Sequence, residues 1–113
     1  MELDIIRDRT HLYRETYDGG VENVYTLKII NMDQRDHRLR IDAKGPFSLR
    51  YDGDETVFIE AGTLASLPVR LVVGPEEARS TVEQTATVRF TVSSEEDSGF
   101  SISEESRFVF PLR

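Results

Sequence analysis

The sequence has no cysteine and no tryptophan, and it contains only two histidines among 113 residues. The missing cysteines exclude disulfide bonds, thiolate metal sites and a cysteine nucleophile, but they leave the cellular compartment open. A Gly-x-Ser-x-Gly motif and the glycine-rich phosphate-binding motifs are missing as well. Few groups remain for catalysis, and we expect a domain that is not an enzyme by itself.

Long apolar runs are also missing. No stretch approaches the roughly 18 to 20 consecutive apolar residues that cross a bilayer, and the opening MELDIIRDRT lacks the order of a secretory signal. With 38% hydrophobic and 31% charged residues, the composition is that of a small soluble domain with one core. We therefore expect a single domain over residues 1–113.

An excess of positive charge is also missing, because 14 basic residues stand against 21 acidic ones. The formal net charge of −7 argues against a nucleic-acid partner, because phosphates need a basic surface. Five of the acidic residues occur near the end without a basic residue among them: Glu95, Glu96, Asp97, Glu104 and Glu105. A charge run of this kind is more often a solvated loop than an anchor for a cationic partner. We predict an exposed acidic loop.

Alternation of apolar and polar residues is what the sequence has in abundance. In NVYTLKII, Tyr25, Leu27 and Ile29 fall on one face, which is the period of a half-buried strand. The pattern continues in HRLRID, PFSLRYD, TVFIE, LASLPVRLVVG, TATVRFTVSS and SRFVFPL, and only GPEEARST begins like a helix of one or two turns. About seven or eight short strands predict an all-β, immunoglobulin-like antiparallel β-sandwich.

Several polar residues are predicted to have structural roles. We expect Tyr25 to be a core aromatic whose hydroxyl finds one partner at the rim, and Asn23 and Asn31 to flank the strand and bond loop backbone groups. Pro68 suits an edge strand or a bulge. In YDGDE, residues 51–55, the carboxylates around a glycine are compatible with calcium, but Asp-Gly between two strands is more typical of a hairpin.

Two sets of residues are candidates for binding. His37, Met32 and His11 have side chains that bind copper or zinc, although two histidines 26 positions apart are more often surface residues in or beside loops. Arg38 and Arg40 alternate with Leu39 and therefore point outward from their strand. These two arginines are the candidate partner surface.

Two blocks of the sequence resemble the C-terminal immunoglobulin-like domain of the FixG/CcoG/RdxA family, accessory proteins of cbb-type cytochrome c oxidase assembly. The blocks are IIRDRTHLYRE and GGVENVYTLKIIN, and SRFVFP at the end is similar more weakly. The resemblance implies a parent protein with several membrane helices and two four-iron four-sulfur clusters, with this domain last, on the periplasmic face of the bacterial inner membrane. The chain would then be excised from a longer membrane protein.

The resemblance also implies a link to copper delivery, with a proposed role for the parent in reducing cupric to cuprous ion. The cluster-binding cysteine motifs do not occur in these 113 residues, so we expect no cofactor in this domain. Membrane contact would be made only by the rest of the parent chain.

Three functions are consistent with these patterns. The first is a non-catalytic interaction or structural domain that binds a protein partner, such as an oxidase-assembly or copper-handling component. The second is a copper entry site on the domain itself, at Met32, His37 or His11. The third is a free-standing sandwich for adhesion or carbohydrate binding, which would need an exposed aromatic platform, whereas the alternation places most aromatic residues inward.

Overall fold

The computed structural model describes residues 1–96 and 100–111, which form nine strands and one short helix. The strands are β1 (Glu2–Arg7), β2 (Arg14–Glu15), β3 (Val21–Ile30), β4 (His37–Lys44), β5 (Arg50–Asp52), β6 (Thr56–Ile59), β7 (Leu64–Val73), β8 (Thr85–Ser94) and β9 (Ser101–Val109), and the helix is α1 (Pro75–Ser80). The number exceeds the expected seven or eight because the chain begins with β1 and the two-residue β2, where alternation is short.

The strands form two antiparallel sheets that pack face to face. Sheet A has the order β1-β3-β7-β5, with β2 also paired to β3, and sheet B has the order β6-β4-β8-β9. These orders correspond to the ABED and CFG sheets of an immunoglobulin domain, with β6 added beside β4. The prediction of an immunoglobulin-like β-sandwich is confirmed.

Strand β3 shows how the alternation builds the core. Its inward side chains Tyr25, Leu27 and Ile29 are at most 1% exposed, while Thr26 and Lys28 between them are partly exposed. A pleated strand places successive side chains on opposite faces, so one segment supplies both the core and the surface. The predicted inward face of this strand is confirmed, and β4 alternates between buried and exposed side chains along its whole length.

Aromatic contacts join the two sheets where antibody domains have a disulfide. The ring centroids of Tyr25 on β3 and Phe90 on β8 lie 5.1 Å apart in an edge-to-face arrangement. These two strands correspond to those that the disulfide links in antibody domains. A second group, Phe47, Phe108 and Phe110, has centroid separations of 5.0 to 5.6 Å. Such aromatic pairs contribute about 0.5–1.5 kcal/mol each beyond burial.

Asn23 and Tyr25 bond backbone groups of β9, the last strand of sheet B. The Val109 N–H donates to Asn23 Oδ1 at 2.8 Å, and Asn23 Nδ2 donates to the Val109 carbonyl at 3.0 Å. The Tyr25 hydroxyl donates to the Arg107 carbonyl at 2.9 Å. These bonds satisfy backbone groups at a sheet edge, where unpaired groups are costly to bury. The prediction for Tyr25 is confirmed, whereas Asn23 lies within β3 and bonds a strand rather than a loop.

Asn31 organises the loop that follows β3. Its Nδ2 donates to the carbonyls of Arg35 and Ile59 at 2.9 and 3.0 Å, and its Oδ1 accepts the N–H of Asp33 at 3.0 Å. One buried amide therefore holds both the loop and the end of β6. The predicted loop role of Asn31 is confirmed.

The turn at residues 51–55 connects the two sheets. Strand β5 before it pairs with β7 in sheet A, and β6 after it pairs with β4 in sheet B. The Tyr51 hydroxyl donates to the Asp54 carbonyl at 2.7 Å and closes the turn. The hairpin prediction is wrong, because each flanking segment pairs with a longer strand in a different sheet. Local sequence reveals the turn but not those distant partners.

Two further expectations concern β7 and the residues after it. Pro68 pairs in register with Thr26 of β3, while β5 covers β7 only at residues 70–72. The missing N–H of Pro68 therefore falls on the uncovered side of β7, as expected for an edge position. Helix α1 has Pro75 in its first turn together with Glu76 and Glu77, in agreement with the predicted one or two turns.

Candidate interaction surface

The outward side of β4 carries the two arginines predicted to form a partner surface. Arg38 and Arg40 are exposed, and β4 lies between β6 and β8, so both occupy the middle of the outer face of sheet B. The register places Arg38 beside Phe58 and Arg40 between Thr56 and Ser93. Just beyond β8, the Glu95 N–H donates to the Arg38 carbonyl and the Glu96 carboxylate accepts the Arg38 N–H, so both acidic residues lie beside Arg38. Small neighbours leave the Arg40 guanidinium open to a partner. The outward orientation predicted from the alternation is confirmed.

Three more cations share this outer face. Lys44 lies directly opposite Arg89 in the register of β4 and β8, and Arg107 projects from the same face of β9. Lys44 continues the alternation of Arg38 and Arg40 along β4, whereas only the pairing of the strands brings Arg89 and Arg107 to this face; sequence reasoning named none of the three. We call the set Arg38, Arg40, Lys44, Arg89 and Arg107 the basic face.

The acidic segment lies partly in a strand. Glu95 and Glu96 follow β8 and are exposed, but Glu104 and Glu105 belong to β9. Asp97 lies outside the described residues. The prediction of an exposed loop is therefore wrong for Glu104 and Glu105, because β9 pairs with β8 through nine residues that include both.

His37 is buried. It begins β4 with 8% of its surface exposed, its Nε2 lies 2.8 Å from Asp33 Oδ2, and its ring stacks on Phe100 with centroids 6.3 Å apart. The hydrogen bond with His37, followed by the backbone N–H of Gln34, lowers the pKa of the Asp33 carboxyl from its usual value. The prediction of a surface histidine is wrong, since the alternation of β4 places His37 on the same inward face as Leu39.

Met32 and His37 line one cavity of about 280 Å³ at this end of the sandwich. Met32 is 58% exposed, whereas His37 Nδ1 is buried without a hydrogen-bond partner among the described residues. The other ring nitrogen already contacts Asp33. Within residues 1–96 and 100–111, no group of three or more His, Cys, Asp or Glu side chains has a geometry that could hold a metal ion. This finding covers the carboxylates of residues 51–55, whereas a site built on the Met32 thioether lies outside it.

His11 lies at the opposite end of the molecule. Strand β1 ends opposite Tyr25, and β2 begins opposite Glu22, so His11 between these strands lies beside the first half of β3. His37 instead lies beyond the end of β3, where Asn31 bonds the loop and β6. A ten-residue strand such as β3 spans roughly 33 Å. The structure therefore brings Met32 and His37 together and leaves His11 apart from them.

A cleft of about 590 Å³ opens beside α1, at the same end as His11. Tyr17 on its rim is fully exposed, and Arg50 lines the cleft as well. The side chains of Thr16 and Asp18 bond each other and both accept the Gly20 N–H, which lowers the pKa of Asp18 and holds the turn. The turn presents a single tyrosine, whereas a carbohydrate-binding platform would need several exposed rings.

Comparison with known proteins identifies the family. The sequence model of one family matches residues 1–111, and its description reads "IG-like fold at C-terminal of FixG, putative oxidoreductase". The chain belongs to this family. The resemblance found in the sequence is thereby confirmed, and an unrelated sandwich is no longer a candidate.

Solved structures agree with this assignment. A FixG-related protein from Vibrio parahaemolyticus has 31% sequence identity and a TM-score of 0.79, and the match covers 98% of this chain and 96% of that chain. A protein from Archaeoglobus fulgidus shares the fold at 12% identity and a TM-score of 0.53, over 100% of this chain and 98% of that chain. No curated protein matches this FixG-type domain. Across the described residues, none of its helices combines the length and apolarity needed to cross a bilayer.

Proposed function

We propose that this FixG-type domain is the non-catalytic interaction domain of a membrane-bound iron–sulfur protein that assists assembly of cbb-type cytochrome c oxidase and delivery of its copper. The domain lies on the periplasmic face of the bacterial inner membrane and binds a protein partner from oxidase assembly or copper handling. Family membership supports the context, because the family description gives an immunoglobulin-like domain at the C-terminus of FixG.

The observation that carries the non-catalytic role is how the buried polar side chains are used. Asn23, Tyr25 and Asn31 each bond backbone groups, and these bonds hold strands or loops in place. A catalytic group would need a polar atom directed at a substrate within reach. Apart from the buried His37 Nδ1, the described polar groups that remain free to act on another molecule lie on the outside, above all Arg38 and Arg40 on the exposed side of sheet B.

The iron–sulfur clusters of the proposed parent belong outside this domain. Such clusters are held by cysteine thiolates, and the 113 residues contain no cysteine. The domain would therefore act by binding, while electron transfer takes place elsewhere in the parent. Sheet faces on an immunoglobulin-like sandwich are rigid, so they suit recognition of a partner with little ordering cost.

Removal of the domain from the parent protein in its native bacterium tests this proposal. We expect the truncated parent to remain in the membrane with its clusters, while the amount of active cbb-type oxidase decreases. An epitope tag after Arg113 should be accessible from the periplasm in intact spheroplasts. Normal oxidase activity after truncation, or a tag protected in spheroplasts, would refute the role or the location respectively.

A second candidate function is copper entry at the cavity that Met32 and His37 share. Thioether and imidazole groups suit cuprous ion, and Met32 is accessible. Titration of the domain with cuprous ion under reducing conditions, followed by proton–nitrogen NMR, tests this function. Changes confined to the Met32 loop and His37 would support it, and an unchanged spectrum of the native protein would eliminate it.

A further inference from the structure

The strands at the edges of the two sheets are not equally protected. The edge strands β5 and β6 have three and four residues, and on the edge strand β9 the side chains of Asn23 and Tyr25 already bond part of the backbone. Strand β1 has six residues, contains no proline and pairs with β3 alone. Natural sheets usually shorten, cover or interrupt such an edge, because its unpaired backbone groups attract other strands. The long open edge of β1 therefore calls for an explanation.

The hydrogen-bond register shows which backbone groups of β1 are open. The Asp8 N–H donates to the Val24 carbonyl at 3.1 Å, and these two residues continue the antiparallel pairing of β1 with β3. Bonded and non-bonded pairs alternate in such a ladder, so Asp4 and Ile6 also bond β3. The residues whose N–H and carbonyl groups point the other way are Leu3, Ile5 and Arg7. On that side, the described chain has no strand paired with β1.

Concave surface follows this open edge. A groove of about 420 Å³ begins beside Leu3 and reaches Ile102 and Glu104 of β9. A second groove of about 320 Å³ is lined by Ile5 and by Leu12, which is exposed. Grooves that contain apolar side chains beside unpaired backbone groups are what an added strand needs, since it must both bond the edge and bury its side chains.

Glu104 marks the place where the core ends beneath β1. It pairs with Phe90 in the register of β8 and β9, so it shares the inward face of that fully buried ring, yet it is exposed. In the described part of the chain, sheet A ends at β1, and no strand beyond β1 covers this carboxylate. A strand added to β1 would direct alternate side chains into this space. An apolar side chain fits against Ile102, and a hydrogen-bond donor two residues away fits beside Glu104.

A second copy of this chain is a poor occupant of the edge. Two β1 strands related by a two-fold axis would pair antiparallel, with opposite side chains on the same face. With Asp4 at the centre, its carboxylate meets the same carboxylate of the second copy. With Ile5 at the centre, Glu2 lies opposite Asp8, and with Ile6 at the centre Asp4 takes that place. Each register sets carboxylates against each other, and like charges directly opposite are destabilising.

From these observations we propose that the open edge of β1 binds an extended segment of a partner protein, which pairs antiparallel with β1 as a further strand of sheet A. The inference rests on the proposed interaction role and names the form of the partner. Backbone bonds to Leu3, Ile5 and Arg7 supply affinity, and the grooves for alternate side chains supply specificity. Acidic and basic side chains both line the edge, including Asp4 and Arg7, so net charge does not select the partner.

Hydrogen exchange measured by proton–nitrogen NMR, with and without the seven-residue peptide TVTKTVT, tests the proposal. In an extended strand the two valines and the lysine share one face, as the groove beside Glu104 requires. In the free protein we expect slow exchange at the amides of Asp4 and Ile6, which bond β3, and fast exchange at those of Leu3 and Ile5. The peptide should slow exchange at Leu3 and Ile5 by about tenfold or more and leave Asp4 and Ile6 unchanged.

Proline substitution separates backbone pairing from side-chain contact. The Ile5 N–H points to the open edge, so Ile5→Pro removes a donor for the partner and no bond to β3. It should weaken peptide binding by about tenfold or more, whereas Ile5→Ala, which keeps the N–H, should weaken it by less than about threefold. Ser101→Pro makes the same change on the open edge of β9 and should leave binding unchanged. Retained peak dispersion in each variant shows that folding is intact.

The possible results separate the alternatives. Equal binding of a peptide methylated on its valine and lysine backbone nitrogens would show side-chain adhesion without strand pairing and would overturn the proposal. Protection gained at Ser101 and Ser103 would assign docking to the edge of β9 and would also overturn it. Protection of Leu3 and Ile5 that grows with protein concentration, without peptide, would place a second copy on the edge against the proposal. No protection at millimolar peptide would overturn it as well.

The same variants in the parent protein distinguish this inference from the proposed function. If truncation of the domain lowers oxidase assembly, and Ile5→Pro does so while Ile5→Ala does not, both stand. If truncation lowers assembly and Ile5→Pro does not, the domain still has an interaction role but β1 is not its docking edge. If truncation leaves assembly unchanged and the peptide still protects the edge of β1, the proposed function fails and the strand-binding edge stands.

Discussion

The two sheets have similar inner faces and different outer faces. Inward, both alternate apolar side chains into one core. Outward, sheet A exposes apolar side chains such as Ile6 and Leu64 and half-buries Val24 and Ile30, whereas sheet B presents charged side chains of both signs and small hydroxyls, with Phe58 as its large exposed apolar side chain among the described residues. The core requires only that one face be apolar, so the opposite face is free to differ. The comparison teaches that function in this domain is to be sought where the sheets differ.

The largest expected effect is the difference in stability between a substitution on the inner face of sheet B and one on its outer face. Phe90→Ala removes a fully buried ring that contacts Tyr25, and it should lower the free energy of unfolding by about 3–5 kcal/mol. Thr91→Ala, the next residue on the outer face, removes the hydrogen bond with the Ser103 hydroxyl and should change it by no more than about 1 kcal/mol. Urea unfolding followed by circular dichroism measures both. Similar losses would mean that the outer face of β8 also stabilises the fold.

A second substitution tests the bond between the sheets. Asn23→Ala leaves the N–H and the carbonyl of Val109 without their partner inside the protein, and the expected loss is about 2–4 kcal/mol. Hydrogen exchange at the Val109 amide should accelerate. Ser103→Ala on the outer face of β9 is the control, with a loss of no more than about 1 kcal/mol. An unchanged exchange rate at Val109 in Asn23→Ala would contradict a structural role for this amide.

These contrasts explain how much of the fold was predictable. The period of two reports burial directly, so Tyr25, Leu27 and Ile29 were correctly placed in the core from sequence. Asn23 was placed at a flank because its partner, Val109, is 86 positions away and no local pattern points to it. The turn at residues 51–55 was recognised, but whether it joins paired strands depends on β7 and β4, which are also distant.

As with the fold, the candidate surface could be predicted within a single strand but not across paired strands. Arg38 and Arg40 were found because they alternate with Leu39 on a single strand, whereas Lys44 and Arg89 become neighbours only through the register of β4 and β8. His37 was misplaced although the signal was present: it stands two residues before Leu39, on the inward parity of β4. The prediction of a surface position followed the turn-forming residues that precede His37 and did not use this alternation.

A third prediction concerns the pH dependence of stability, and it compares the buried Tyr25 with the half-buried Tyr51. Burial raises the pKa of Tyr25 above its usual value near 10, and burial, followed by the charges of Asp54 and Glu55, raises the pKa of Tyr51 to about 12. Above pH 10 the unfolded chain releases these protons and the folded chain retains them. The stabilisation is therefore complete below about pH 10 and is lost as pH rises further, by roughly 1.4 kcal/mol per pH unit for a fully protected tyrosine.

Unfolding of the wild type and of Tyr25→Phe between pH 9 and 11 checks this expectation. The Tyr25→Phe curve should fall less steeply with pH, even though the variant is less stable at pH 7 because the bond to the Arg107 carbonyl is lost. Tyr51→Phe should reduce the slope by a smaller amount, since that side chain is partly exposed and solvent screens the effect. Parallel curves for all three proteins would contradict the assignment of the buried hydroxyl.

The smallest expected effect compares one lysine on each outer face. Lys44 lies opposite Arg89 on sheet B, whereas Lys28 lies between Asp4 and Ser66 on sheet A. Lys44→Gln removes a repulsion and should raise the free energy of unfolding by about 0.2–1 kcal/mol, while Lys28→Gln removes an attraction and should lower it by a similar amount. Both changes should shrink in high salt. Opposite signs would show that sheet B retains its cations at a cost to stability, which a binding role explains, and equal signs would remove that argument for the basic face.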